Sequence, residues 1–161
     1  MESYRVRVFR EGAAFSAAHF IAFDSQECER LHGHNYRVKA EIAGKPGGLG
    51  YVYDFVALER MLRSITSILD HRTLLPQKSG LIQVEERGSS VLVAFGRKEW
   101  IFPREDCVLL PIGNTTAEEL ASWIAGRLRE EMARSGLEPP ESIAIELEEN
   151  AGQSAIYESS R

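Results

Sequence analysis

The chain has 161 residues, 43% of them hydrophobic and 27% charged, and carries a net charge of −5. That size and composition suit one soluble domain, 1–161, with a core of its own, and the acidic balance counts against a general nucleic-acid binder. No run of 18 apolar residues and no basic-then-apolar start occurs, so the expectation is no membrane span, no signal peptide and a cytoplasmic location.

In chain order, Tyr4, Val6 and Val8 alternate with Arg5 and Arg7, which reads as a strand. It is expected to continue past Gly12 through residues 13–20, with the glycine marking a bulge. A polar loop over about residues 24–31 carries Cys28. His34, Tyr36, Val38, Ala40 and Ile42 then share one face of a second strand, opposite Asn35, Arg37, Lys39 and Glu41. After a glycine-rich turn, Asp54 caps a helix whose apolar residues are Phe55, Leu58, Leu62, Ile65 and Leu69. The helix ends near Asp70-His71. Residues from about 77 to 110 read as a β-rich insert, with short strands at 81–85, 91–95 and 99–102. Thr116 and Glu119 have capping-box spacing for a second helix, through Leu120, Ile124, Leu128 and Met132 to Gly136. Ile143, Ile145 and Leu147 make an alternating strand, and Asn150-Ala-Gly-Gln turns into a last one at 154–158. The class is α+β, with two helices on one side of an antiparallel sheet and the insert between the helices.

Three of the four histidines, His19, His32 and His34, fall within 16 residues. Three imidazoles with an open fourth position are what a catalytic zinc ion requires, and His32 and His34, two apart on a strand, point to one side. The small residues Ser16, Ala17 and Ala18 leave space beside His19. Cys28 has two readings, a small buried hydrophobe or a thiolate usable as a base near a metal cation, and its polar neighbours favour the second. Cys107, among Val108, Leu109 and Leu110, reads as structural, and a Cys28–Cys107 disulfide is not expected in a reducing compartment. Asp70-His71 is either a plain helix end or a carboxylate orienting an imidazole for proton transfer. Glu149 is either part of a solvated acidic strand end or an acceptor for the N–H and amine of a guanine-like ring.

The motifs Phe15-Ser-Ala-Ala-His19, Cys28-x-x-x-His32-Gly-His34-Asn-Tyr36, Val52-x-Asp54-Phe55, Leu69-Asp70-His71, Asn114-Thr-Thr-Ala-Glu118 and Glu149 eight residues before Tyr157 run in order through nearly the whole chain. In them the chain resembles the 6-pyruvoyltetrahydropterin synthase / 6-carboxytetrahydropterin synthase family. The resemblance implies His19, His32 and His34 as zinc ligands, Cys28 as catalytic thiol, Asp70 and His71 as a proton relay, Glu149 as pterin anchor, and Thr115 and Thr116 as pterin contacts. It implies the tunnelling fold, a homohexamer made of two trimers, active sites between subunits, and 7,8-dihydroneopterin triphosphate as substrate. The implied product is 6-carboxy-5,6,7,8-tetrahydropterin, released with acetaldehyde and triphosphate on the queuosine route. The alternatives are elimination of triphosphate to the 6-pyruvoyl product, cleavage of dihydroneopterin, or zinc and pterin binding without turnover. Arg30, Arg37 and Lys39 are candidates for the polyanion, the last two reading better as a solvated face. Two departures from the family stand out: the insert, and Asn150 in place of a threonine after the anchoring glutamate.

Overall fold

A computed structural model of the chain describes residues 4–9 and 13–161. Two strands, β1 (Tyr4–Val8) and β2 (Phe15–His19), lie antiparallel along one edge of β3 (His32–Gly44). The single strand expected through Gly12 is therefore two; Gly12 itself lies outside the described residues. Val8 stands opposite Ala40 and Phe15 opposite Tyr36.

The other edge of β3 pairs with β9 (Ser142–Asn150), whose turn, with Gly152 at φ +78°, leads into β10 (Gln153–Ser160). The register sets Val38 against Leu147, Ala40 against Ile145 and Ile42 against Ile143. Because strand side chains alternate, this one alignment turns the large apolar residues inward and Arg37, Lys39, Glu41, Glu146 and Glu148 outward. On the outer face Lys39 pairs with Glu146 at 2.9 Å, Arg37 with Glu148 at 3.4 Å and Arg5 with Glu41 at 2.9 Å. Arg37 and Lys39 thus form the solvated face that their alternation suggests.

Two helices, α1 (Phe55–Leu69) and α2 (Ala117–Arg134), cover the inner face. The Asp54 carboxylate accepts from Val56 N at 2.8 Å and starts α1. Leu58, Leu62, Ile65 and Leu69 are buried at helical spacing, each contributing about 1.5–3 kcal/mol by leaving water. Phe55, expected in that stripe, is 53% exposed, because the first turn overhangs the sheet's end. Thr116 caps α2 by accepting from Glu119 N at 3.3 Å. The capping box is only half made, since the Glu119 carboxylate accepts from Gly113 N at 2.8 Å instead. At the other end Leu137 N donates to Met132 O and Gly136 N to Ala133 O, a Schellman closure that needs the φ of +69° at Gly136.

Beyond β2 the sheet changes character. β4 (Arg72–Pro76) lies parallel to β2, and β8 (Cys107–Leu110) lies parallel to β4. The sheet expected to be antiparallel is therefore mixed at this edge: β4, entered from α1, runs opposite to β3 as β2 does, so β4 and β2 lie parallel. Among the described residues the main sheet has seven strands, ordered β10-β9-β3-β2-β4-β8, with β1 also on β3. β8 occupies the last four residues assigned to the insert, so the true insertion is shorter. Its strands, β5 (Gln83–Arg87), β6 (Ser90–Phe95) and β7 (Lys98–Pro103), form a separate antiparallel sheet. That sheet covers a second apolar cluster of Phe20, Ala22, Cys28, Leu75, Ile82, Val91, Val93, Phe95 and Cys107. Among the described residues no helix is long and apolar enough to cross a membrane.

Candidate active site

His19 ends β2 and faces His32, its partner at the start of β3, with His34 one inward position further along. The three ring centroids lie 4.7–5.2 Å apart. Each ring is held through Nδ1: His19 against Thr115 O at 2.9 Å, His32 against Arg30 O at 2.7 Å, and His34 against Asn150 Oδ1 at 3.1 Å. Acceptors at all three Nδ1 atoms fix the proton there and leave Nε2 with its lone pair, the tautomer that metal-binding histidines adopt. Nε2 of His19 and of His34 are buried and make no hydrogen bond.

Glu149, from the end of β9, is the fourth member of this group. Its Oε1 lies 3.0 Å from His34 Nε2 and 3.7 Å from His19 Nε2, and the four ligand atoms all fall within 4.8 Å of one another. Two orphaned buried nitrogens converging with a third imidazole and a carboxylate fit a divalent ion, because buried polar atoms otherwise find partners. Burial is the main force holding His19 below the ordinary imidazole pKa, which keeps it neutral, while the Thr115 carbonyl and Glu149 oppose it. Tyr36, edge-on to His19 and His34, has an unpartnered buried hydroxyl. Burial, then the charges of Glu149 and Glu29, raise its pKa, so it stays a neutral phenol.

Glu29 was not singled out from the sequence. Its carboxylate accepts from Ile21 N at 3.0 Å and reaches to 3.9 Å from His32 Nε2. Its position three residues before His32 is the signal that could have found it. Cys28, expected in a polar loop near the metal, instead tucks into the second apolar cluster, 8% exposed. The loop's charges stay outside while Cys28 bridges to Ala22, which Asn114 grips through both its N–H and its carbonyl. Lys98 Nζ donates to Cys28 Sγ at 3.4 Å. Cys28 and Cys107 are both free thiols, and burial pushes the Cys107 thiol up.

Thr115 and Thr116 have structural engagements: Thr115 is fully buried with its hydroxyl on Phe20 O at 3.0 Å, and Thr116 caps α2. Glu149 also borders a small cavity of about 180 Å³ with Glu118, Gln153 and Ser154.

Asp70 and His71 make no described bond to the imidazole trio, although His34 and His71 line one open cavity. Asp70 Oδ1 accepts from Ser16 N at 2.9 Å, and His71 N donates to Ser16 O at 2.6 Å. Asp70 Oδ2 then holds His71 Nδ1 at 2.9 Å. The Ser16 N–H first, and His71 second, draw the Asp70 carboxyl below its usual range. His71 has φ +56°, the one positive value at a described non-glycine residue. Such a conformation costs on the order of 1–3 kcal/mol and persists where the surroundings dictate it. The His71 side chain is 81% exposed, beside an open cavity of about 580 Å³ that Ser16, Asn35, Arg72 and Asp106 also line. No described hydrogen bond, ion pair or ring contact joins it to His19, His32 or His34.

Fold and site together define an α+β enzyme domain with a three-imidazole, metal-competent centre beside a carboxylate. The family described as 6-pyruvoyl tetrahydropterin synthase matches residues 8–160, and the chain belongs to that family. A Methanocaldococcus jannaschii protein provisionally named 6-carboxy-5,6,7,8-tetrahydropterin synthase is 33% identical over 147 residues, 91% of this chain and 90% of its own. The 6-carboxy-5,6,7,8-tetrahydropterin synthase of Haemophilus influenzae is 29% identical over 121 residues, covering 72% of this chain and 77% of that protein. A Plasmodium vivax 6-pyruvoyltetrahydropterin synthase superposes over all of both chains with a TM-score of 0.93 at 30% identity. That structure is of a catalytic-residue mutant in which alanine replaces a glutamate. With these relatives the chain is a lyase.

Proposed function

We propose that the chain is a zinc-dependent lyase converting 7,8-dihydroneopterin triphosphate to 6-carboxy-5,6,7,8-tetrahydropterin, acetaldehyde and triphosphate, on the route to 7-deazaguanine nucleosides. The observation that carries this reading is the set of three imidazoles, each anchored through Nδ1 and aiming Nε2 at one point. His19, His32 and His34 would hold the ion. When bound, it would polarise the side-chain hydroxyls of the substrate and lower the cost of charge developing there.

The protein's own groups do the rest. Glu149 receives the pterin's ring N–H and exocyclic amine in a two-point bond, turning from His34 toward the cavity beside Gln153 and Ser154. Cys28 takes a proton from the substrate side chain. His71, oriented by Asp70, supplies or receives the second proton. Its ring is 81% exposed, and in this reading it serves the centre of a neighbouring subunit in a hexamer of two trimers. The cytoplasm is the compartment that suits two free thiols.

A second reading has one observation in its favour: Glu29 approaches the imidazoles from its own loop, and the Plasmodium vivax enzyme has a glutamate as catalytic residue. Under it, Glu29 rather than Cys28 takes the proton, and the chain makes the 6-pyruvoyl product or cleaves dihydroneopterin. Incubation with dihydroneopterin triphosphate, followed by product mass spectrometry and an acetaldehyde assay, separates the two. Acetaldehyde together with the 6-carboxy product is expected; the 6-pyruvoyl product without acetaldehyde would remove the first reading. Metal analysis of wild type and His32→Ala tests the ion, with about one zinc per chain expected only in the wild type. Glu149→Gln should keep its zinc and lose substrate affinity; loss of zinc would make Glu149 a ligand instead.

A further inference from the structure

We infer that Lys98, carried in by the insert, is a positioning residue for the Cys28 thiol: its ammonium holds the sulfur in place and stabilises the anion that accepts the substrate's proton. This rests on the reading of Cys28 as the proton-accepting thiol.

The pair is built from two sides. Lys98 opens β7 just after a two-residue turn, opposite Phe95, with Gly96 at φ +57° allowing the tight reversal. Lys98, Trp100 and Phe102 share one parity of the strand, and Trp100 and Phe102 pack against the second apolar cluster. Trp100 stacks on Phe20 with ring centroids 4.6 Å apart, which ties the strand to the residue following His19. A lysine at an exposed hairpin end normally sends its ammonium into water. Lys98 is itself exposed, yet its Nζ makes the only described hydrogen bond to Cys28 Sγ, at 3.4 Å.

On the other side, Cys28 is fixed by its bridge to Ala22 and by Glu29 N donating to Ile21 O at 2.8 Å. Cys28 belongs to the same apolar cluster as Phe20, Val91, Val93 and Phe95, so a charge on its sulfur calls for a nearby cation. The other titratable groups nearby do not supply one. Glu29 turns its carboxylate to Ile21 N and His32. Cys107 donates to Pro103 O at 3.4 Å, Arg104 is engaged with Glu86 and the Cys107 carbonyl, and Glu99 lies on the opposite parity of β7. Lys98 is therefore the cation that faces the sulfur. In the step itself the proton moves from the substrate to Sγ and the electron pair stays on the substrate. Lys98 keeps its three protons throughout.

The test uses the metal-loaded, full-length protein with Lys98→Met, Lys98→Arg and Cys28→Ala, and Lys98→Gln as a second neutral variant should Lys98→Met fail to fold. Iodoacetamide labelling of Cys28 at pH 7, followed by peptide mass, is expected to slow on the order of tenfold in the neutral variants and to recover in Lys98→Arg. Turnover of dihydroneopterin triphosphate should fall by about tenfold or more in kcat, with KM and zinc content unchanged. A neutral variant that labels as fast as wild type or faster, or one whose kcat is unchanged, overturns the inference. If Cys28→Ala is inactive while Lys98→Met behaves as wild type, Lys98 alone is wrongly assigned. If Cys28→Ala turns over normally, the thiol's role falls and Lys98 with it.

Discussion

The two ends of β2 carry two half-sites of opposite kind. At the His19 end that ring is buried and its neighbours partly so, each ring has a fixed acceptor at Nδ1, and the four ligand atoms lie close enough for a single ion. At the Ser16 end, His71 stands at a strained backbone angle with its ring in the open, held only by Asp70. The first half-site is preorganised within one chain. The second is fixed at its base, by Asp70 and His71 on Ser16, and leaves its ring open to the cavity. In the proposed reading that ring moves a proton, and a subunit interface would give it a partner.

The contrast can be broken most severely at the buried end. His34→Ala should abolish both zinc retention and turnover, seen by metal analysis and by product formation, while leaving the fold intact by circular dichroism. Full activity in a zinc-free His34→Ala protein would remove the metal from the chemistry. His71→Ala attacks the exposed end: kcat should drop by about 10²–10⁴ with zinc content unchanged. Under the proposed hexamer, mixing His34→Ala and His71→Ala chains should regain part of the lost turnover, since some sites would then combine an intact trio with an intact relay. No recovery on mixing would place both halves in one chain.

Smaller effects sharpen the picture. Asn150→Leu removes the acceptor that orients His34, and should weaken zinc affinity by about 10–100-fold in a chelator competition. Unchanged affinity would mean that packing alone orients the ring. The smallest effect concerns Asp70. Its pKa in the folded chain lies below the ordinary value of about 3.9, so its contribution is fully present above that value and is lost as pH falls through the depressed one. Wild type should melt above Asp70→Asn at neutral pH, with the gap closing only in strong acid. A gap that persists there would come from something other than the ionised carboxylate.

Much of this molecule was legible before folding because the relevant signals are local. Period-two alternation placed Tyr36, Val38, Ala40 and Ile42 on the buried face of β3. Helical spacing located α1 and α2, and shared parity put His32 and His34 on one side. Phe55 misled, because an apolar residue in a helix's first turn can overhang the sheet it is meant to cover. The antiparallel expectation failed at β4 and β8, since strand direction depends on the path of the connecting chain, which no local pattern records. Cys28 misled for a related reason. Polar neighbours describe a loop's solvent side, while Cys28 itself turns inward where the distant hairpin covers it.

What the chain's own order of residues determined is the inventory and its faces: which side chains point inward, where helices start and stop, and that three imidazoles can meet. Only the tertiary structure decided what completes them. Glu149 and Asn150 arrive from more than a hundred residues away, Thr115 from nearly as far, and Lys98 by way of the insert. Periodicity is a property of neighbours along the chain, whereas convergence at one point depends on how strands are ordered across the sheet.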